Sequence, residues 1–359
     1  MSSESYFSPD YVTARNRFRA AATAAGAALH ALELTAKGPH GESLSIDIAC
    51  IGSPRPERVF LHTTGVHGVE AFTGSAVQHA LLEQGRLTPG QNDGAILVHV
   101  LNPCGMAWLR RTNENNVDLN RNFLMNGECW SGAPDLYRTL DPLLNPRSPP
   151  ARDGFHIRAA ATAMRHGFHR VKQAIAEGQY DFPQGLFFGG DSLQEGPRLF
   201  TDWLRQHLAD AYYVLALDLH TGLGRRGTDS VVPDAHVNTT PRQVLGAALE
   251  REFVVVSQPS AAYTVRGGLG SALPHVLPRA EIDFVLQEIG TRDPLTVLHA
   301  LREENRWHFH GDGSIVHSSK RRLFEALCPA AVSWRRRAVV LGLGLACAAA
   351  KFAFGRDRT

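Results

Sequence analysis

Apolar and polar positions divide the chain into short apolar runs separated by longer stretches of helical spacing. Residues 44–49 alternate with period two and predict a half-exposed strand near a sheet edge. Residues 59–61 form a short apolar run that stops at a Thr/Gly turn. The runs at 95–101, 212–219 and 282–287 are almost continuously apolar, as strands buried in a parallel sheet are. Helical spacing covers 14–35, 76–84, 159–177, 196–208, 294–307 and 317–327. It also covers 241–251, with Pro241 in the first turn and a strand expected at 253–256. This alternation predicts an α/β fold, a single domain over 1–330 with a mixed, mostly parallel twisted sheet flanked by helices. A helical insertion is expected at about 130–210, preceded in the chain by a turn at 102–105. Its Pro/Ser/Arg-rich excursion spans 143–154 and its Gly-flanked apolar turn spans 185–190.

Two stretches break the pattern. Residues 111–123 are too polar and Asn-rich for regular structure, and long ordered loops usually carry function. Residues 331–359 form a basic and then apolar tail. Its 13 apolar or small residues from Ala338 to Ala350 fall short of the roughly 20 that span a bilayer. A helix packed on the sheet is the expectation there, and interfacial membrane contact the lesser one.

Composition adds mainly exclusions. The 359 residues are 43% hydrophobic and 20% charged, ordinary for a globular protein, and a net charge of +2 offers no electrostatic case for nucleic acid. Five cysteines without C-x-x-C spacing, and a start without a basic or apolar leader pattern, lead us to expect a cytoplasmic protein with reduced thiols.

The chemistry gathers at strand ends. His67 and Glu70 follow the run at 59–61, His220 follows the run at 212–219, and Glu288 follows the run at 282–287. Ligands of open α/β sheets bind at the carboxyl ends of strands. Two imidazoles and a carboxylate with an open fourth position suit catalytic zinc, which polarises carbonyls and acidifies water. His67, Glu70 and His220 are the expected ligands, with Glu288 as general base. Gly222-Leu223-Gly224-Arg225-Arg226-Gly227 lacks the following helix start that dinucleotide binding needs, and no G-x-S-x-G elbow is present.

His67-Gly68-Val69-Glu70, Arg111 seven residues before Asp118-Leu119-Asn120-Arg121-Asn122-Phe123, Asp218-Leu219-His220-Thr221-Gly222 and Gln287-Glu288-Ile289-Gly290 occur in that order. The set resembles the M14 zinc metallocarboxypeptidase family, and within it the bacterial DUF2817 branch. The resemblance implies that Asn120 and Arg121 hold a substrate carboxylate, with Tyr263 as a further candidate contact. It implies that Arg111 stabilises an oxyanion and that Asp118 is the hydrogen-bond partner of His67. The expected activity is zinc-dependent hydrolysis of an amide bond beside a free carboxylate, releasing a C-terminal residue from a peptide. The alternatives are a deacylase acting on small N-acyl amino acids and a non-catalytic zinc-binding protein.

Overall fold

The computed structural model describes residues 3–125, 127–233, 254–255 and 265–356. Its strands are β1 (Ala28–Lys37), β2 (Ser43–Gly52), β3 (Arg58–Thr64), β4 (Asp93–His99), β5 (Tyr213–Gly222), β6 (Asp229–Pro233), β7 (Val254–Val255) and β8 (Glu281–Gly290). They form one sheet in the order β1-β2-β4-β3-β5-β8-β6-β7. The central β4, β3, β5 and β8 run parallel, while β1, β2 and β6 pair with their inner neighbours antiparallel.

Helices cover both faces of the sheet. On one face, helices Tyr11–Ala24, Ala71–Glu83 and Val332–Phe354 bury Phe18, Phe72, Leu81, Trp334 and Leu345 against Leu215 and Leu217. On the other, helices Glu195–His207 and Leu269–Val276 bury Phe200, Leu204 and Leu273 against Ile96 and Val214. A third cluster joins the insertion, through Tyr137, Leu140 and Ile175, to Leu301 and Leu323 of helices Pro294–His310 and Ser318–Leu327.

Several elements differ from the sequence expectation. The helix expected over 14–35 ends at Ala24. Gly26 turns the chain at a φ of +72°, and the rest is β1, an exposed edge strand. With β1 outside it, β2 is interior. Its polar Ser45 and Asp47, which read as a solvent face, are buried beneath Arg19, whose guanidinium holds Asp47 through 2.6 and 2.7 Å contacts. The helix expected over 159–177 is two, Phe155–His166 and Phe168–Ala176, divided at Gly167. The turn at 102–105 is the start of a short helix, Pro103–Ala107, capped by the Asn102 side chain at 2.7 Å from Gly105 N. The helix expected over 241–251 lies outside the described residues, as does all of the strand expected over 253–256 except β7.

The tail helix Val332–Phe354 has a mean hydropathy of 1.6 over its most apolar window, and more than half of that window is buried. Trp334 Nε1 donates to Gly290 O at 2.9 Å, and Leu341 O accepts from Gln287 Nε2 at 3.2 Å. Gly342 has no room for a side chain, because a Cβ there would lie 2.5 Å from Val77 Cγ2.

Candidate active site

The parallel register sets the site at the carboxyl edge of the sheet. His220 on β5 stands opposite Glu288 on β8, and Thr63 on β3 stands opposite Asp218 on β5. After β3 the chain reverses at Gly65, whose φ of +70° suits glycine. His67 and a 3-10 turn, Gly68–Glu70, follow. Gly68 packs so closely on the backbone of Gly105 that an added Cβ would sit 2.0 Å from a carbonyl carbon. Backbone bonds from Gly68 N to Arg111 O (3.1 Å) and Val69 N to Arg110 O (2.9 Å) tie this turn to the start of the Asn-rich loop.

His67, Glu70 and His220 are buried together, with one ligand atom from each lying within 4.8 Å of the others. Both imidazoles turn Nδ1 toward Glu70, at 3.0 Å from Oε1 and 3.2 Å from Oε2. Both are fixed from behind by carboxylates. His67 Nε2 lies 3.1 Å from Asp118 Oδ1, and His220 Nε2 lies 2.8 Å from Asp218 Oδ2. That arrangement sets the tautomer of a metal-binding histidine. Beyond its approach to Glu70, the buried His67 Nδ1 has no hydrogen-bond partner. An orphaned buried nitrogen beside a carboxylate and a second imidazole is a donor set that a divalent cation satisfies.

Electrostatics separate the two glutamates. Burial alone would raise the Glu70 carboxyl, but the imidazoles of His67 and His220 hold it well below the usual carboxylate range. Glu288 is pushed up to about 7, first by burial and then by the Glu70 charge, with His220 opposing. Its Oε1 accepts from Leu223 N at 2.8 Å. Asp118 is buried too, yet Arg111 and His67 keep its pKa low. Arg111 reaches Asp118 Oδ2 through Nε (2.9 Å) and Glu70 Oε1 through Nη1 (3.4 Å). Beside it, Arg110 Nε and Lys320 Nζ share Glu304 Oε1 at 3.1 and 2.6 Å, which anchors this end of the loop.

Residues 7–341 match the family model described as "Protein of unknown function (DUF2817)". The chain belongs to the DUF2817 family. No curated protein matches its sequence. Among solved structures, bovine thrombin-activatable fibrinolysis inhibitor in complex with tick carboxypeptidase inhibitor aligns over 97% of each chain at 11% identity, with a TM-score of 0.52. Carboxypeptidase A from Helicoverpa armigera aligns over 88% of this chain and 74% of its own, at 15% identity and a TM-score of 0.48. Murein-tripeptide amidase MpaA from Escherichia coli O157 aligns over 78% and 92%, at 15% identity and a TM-score of 0.39. The DUF2817 chain thus has the zinc carboxypeptidase fold.

Its Asn-rich loop is a buried strut. Asn122 Nδ2 donates to Gly189 O (2.8 Å) and Ser192 O (2.9 Å), and its Oδ1 accepts from Gln194 N (2.8 Å). Asn116 Nδ2 donates to Pro183 O (2.9 Å) and Gly185 O (3.2 Å). The asparagines therefore hold the insertion against the site, which explains a run too polar for strand or helix.

Arg121, expected to hold a substrate carboxylate, is anchored within the fold. It is 1% exposed. Nε and Nη2 donate to Ala176 O, at the end of an insertion helix, at 3.0 and 2.5 Å, and Nη1 donates to Asn120 O at 2.8 Å. One N–H each on Nη1 and Nη2 is left by these contacts. Asn120 Oδ1 accepts from Leu269 N at 3.1 Å. Tyr263 lies outside the described residues. Asp218 is a site residue with a signal in the sequence, since its position two before His220 on a strand puts both on one face. Phe187 is a further site residue, whose ring lies 5.1 Å from the Arg111 guanidinium carbon and 5.8 Å from that of Arg121. Phe187, within the Gly-flanked apolar turn over 185–190, has a φ of 57°, unusual for an aromatic residue.

Proposed function

We propose that this DUF2817 protein is a zinc-dependent hydrolase of amide bonds, with zinc held by His67, Glu70 and His220. The observation that carries the reading is the buried His-Glu-His cluster, with Glu288 on β8 standing opposite His220 on β5. Zinc in such a site supplies Lewis acidity, which polarises a carbonyl and acidifies water.

The chain's own residues account for the remaining roles. Glu288, with Oε1 held by Leu223 N–H, has Oε2 left to accept a proton from water and deliver it to the leaving amine. A pKa of about 7 suits both transfers. Arg111, set by Asp118, carries fixed positive charge for a developing oxyanion. Asp118 and Asp218 orient the two imidazoles.

The finer reading is an amide next to a free carboxylate, as at a peptide C-terminus, with Asn120 and Arg121 as carboxylate donors. The Ala176 contact pins the Arg121 guanidinium, and one hydrogen each on Nη1 and Nη2 is left to meet such a carboxylate. The poised Glu288 favours turnover over mere metal storage, which has no need of a base. The test is a peptide-library digest read by mass spectrometry, with added zinc and with chelator. Zinc-dependent loss of single C-terminal residues is expected, and an unchanged library under both conditions would refute the proposal.

A further inference from the structure

Helix Phe155–His166 of the insertion is built inside out. Of its twelve residues only Phe155 is buried, yet Ile157 is 78% exposed and Met164 81% exposed. At 3.6 residues per turn these two lie on one stripe, on the side opposite Phe155. Phe168, 56% exposed, begins the next helix just past Gly167. An ordinary surface helix turns its apolar stripe inward. Here three of the seven exposed large hydrophobic residues among those described crowd into twelve positions.

Charge accompanies the stripe. Arg158 and Arg165 flank the stripe about 100° round the helix, Arg170 is exposed on the next helix, and no Asp or Glu occurs from Phe155 to Lys172. A two-fold pairing of this surface with a second copy would set these arginines against their own kind. Aliphatic and aromatic side chains flanked by arginines are what lets a helix lie in a lipid interface of opposite charge. We propose that the outer face of 155–170 is a docking surface for an anionic lipid bilayer. The same insertion reaches the site, since helix Phe168–Ala176 ends with its carbonyl on Arg121. Docking would therefore bring the candidate active site to substrates held at a membrane surface.

The experiment is co-sedimentation of the full-length protein with vesicles of phosphatidylcholine alone and of phosphatidylcholine mixed equally with phosphatidylglycerol. Binding to the mixed vesicles only, weakening as salt rises, is the expected result. The double substitution Ile157→Asp with Met164→Asp is expected to lower that binding at least tenfold, as is Arg158→Glu with Arg165→Glu. Both pairs lie on the surface, so unchanged melting verifies their folding. Val340→Asp, an exposed position of the tail helix, should leave binding intact. Equal binding to both vesicle types, no binding to either, or full binding by the insertion variants would overturn the proposal. So would a stable dimer in light scattering that those variants dissociate. None of these readouts depends on hydrolytic activity.

Discussion

At the scale of single residues, the two kinds of carboxylate in the site make opposite predictions. Glu70 is held ionised between two imidazoles, whereas Glu288 is kept near neutrality by burial. His220→Ala should therefore lose most bound zinc by elemental analysis. Glu288→Gln should retain zinc and fold while losing roughly 10²–10⁴-fold in turnover. Zinc loss in the Gln variant would make Glu288 a ligand and upset the assignment. Arg121 allows a sharper test, because its fork is partly satisfied within the fold. A carboxylate held by Arg121 contributes about 1.5–3 kcal/mol, or roughly ten- to more than a hundredfold in kcat/KM. Arg121→Ala should then slow a free-acid peptide by that factor and barely affect its C-terminal amide. Equal losses on both substrates would show that Arg121 only pins the insertion helix.

At the scale of elements, the site is braced by contacts between distant segments. The Asn-rich loop was legible in the sequence as functional, but not as a strut, because its partners at 183–194 are distant in the chain. Likewise the tail helix was legible as apolar, while its partner face became visible only in the fold. Leu345 is fully buried in the core cluster of that face, and Val340 is 52% exposed on the same helix. Leu345→Ala should cost about 2–5 kcal/mol in denaturant unfolding, and Val340→Ala less than about 0.5 kcal/mol. Similar small effects at both positions would mean that the helix is not part of the cooperative core.

For the whole molecule, acid stability depends on two buried histidines outside the His67-Glu70-His220 cluster. His62 and His99 are fully buried, and burial lowers each to about 4. Each makes a neutral contact, His62 with Gln78 at 3.1 Å and His99 with Ser75 at 2.9 Å. The unfolded chain binds these protons near pH 6.5 and the folded chain only near 4, so stability falls as pH drops through that window. Between pH 7 and pH 5 the pair should cost about 3–4 kcal/mol, read from urea midpoints at the two pH values. Glu288, raised to about 7, gains stability over the same window, so the histidine share is read as the difference between this chain and its His62→Gln, His99→Gln variant. Identical pH profiles for the two would show that neither histidine stays neutral in the folded state.

Local sequence determined the parallel strands at 59–61, 95–101, 212–219 and 282–287 and the residues at their ends. Buried parallel strands are apolar throughout, and ligand residues must follow them, so both signals are short-range. What only the tertiary structure decided depends on contacts between distant segments. Polar Ser45 and Asp47 were turned inward by Arg19, and β1 was drawn into pairing with β2 in place of extending an Ala-rich helix. The packing of the insertion, which delivers Phe187 and the Ala176 carbonyl to the arginines, is likewise set by asparagine side chains about 70 residues away. Propensity is worth fractions of a kcal/mol per residue, so the packing of distant segments overrides it.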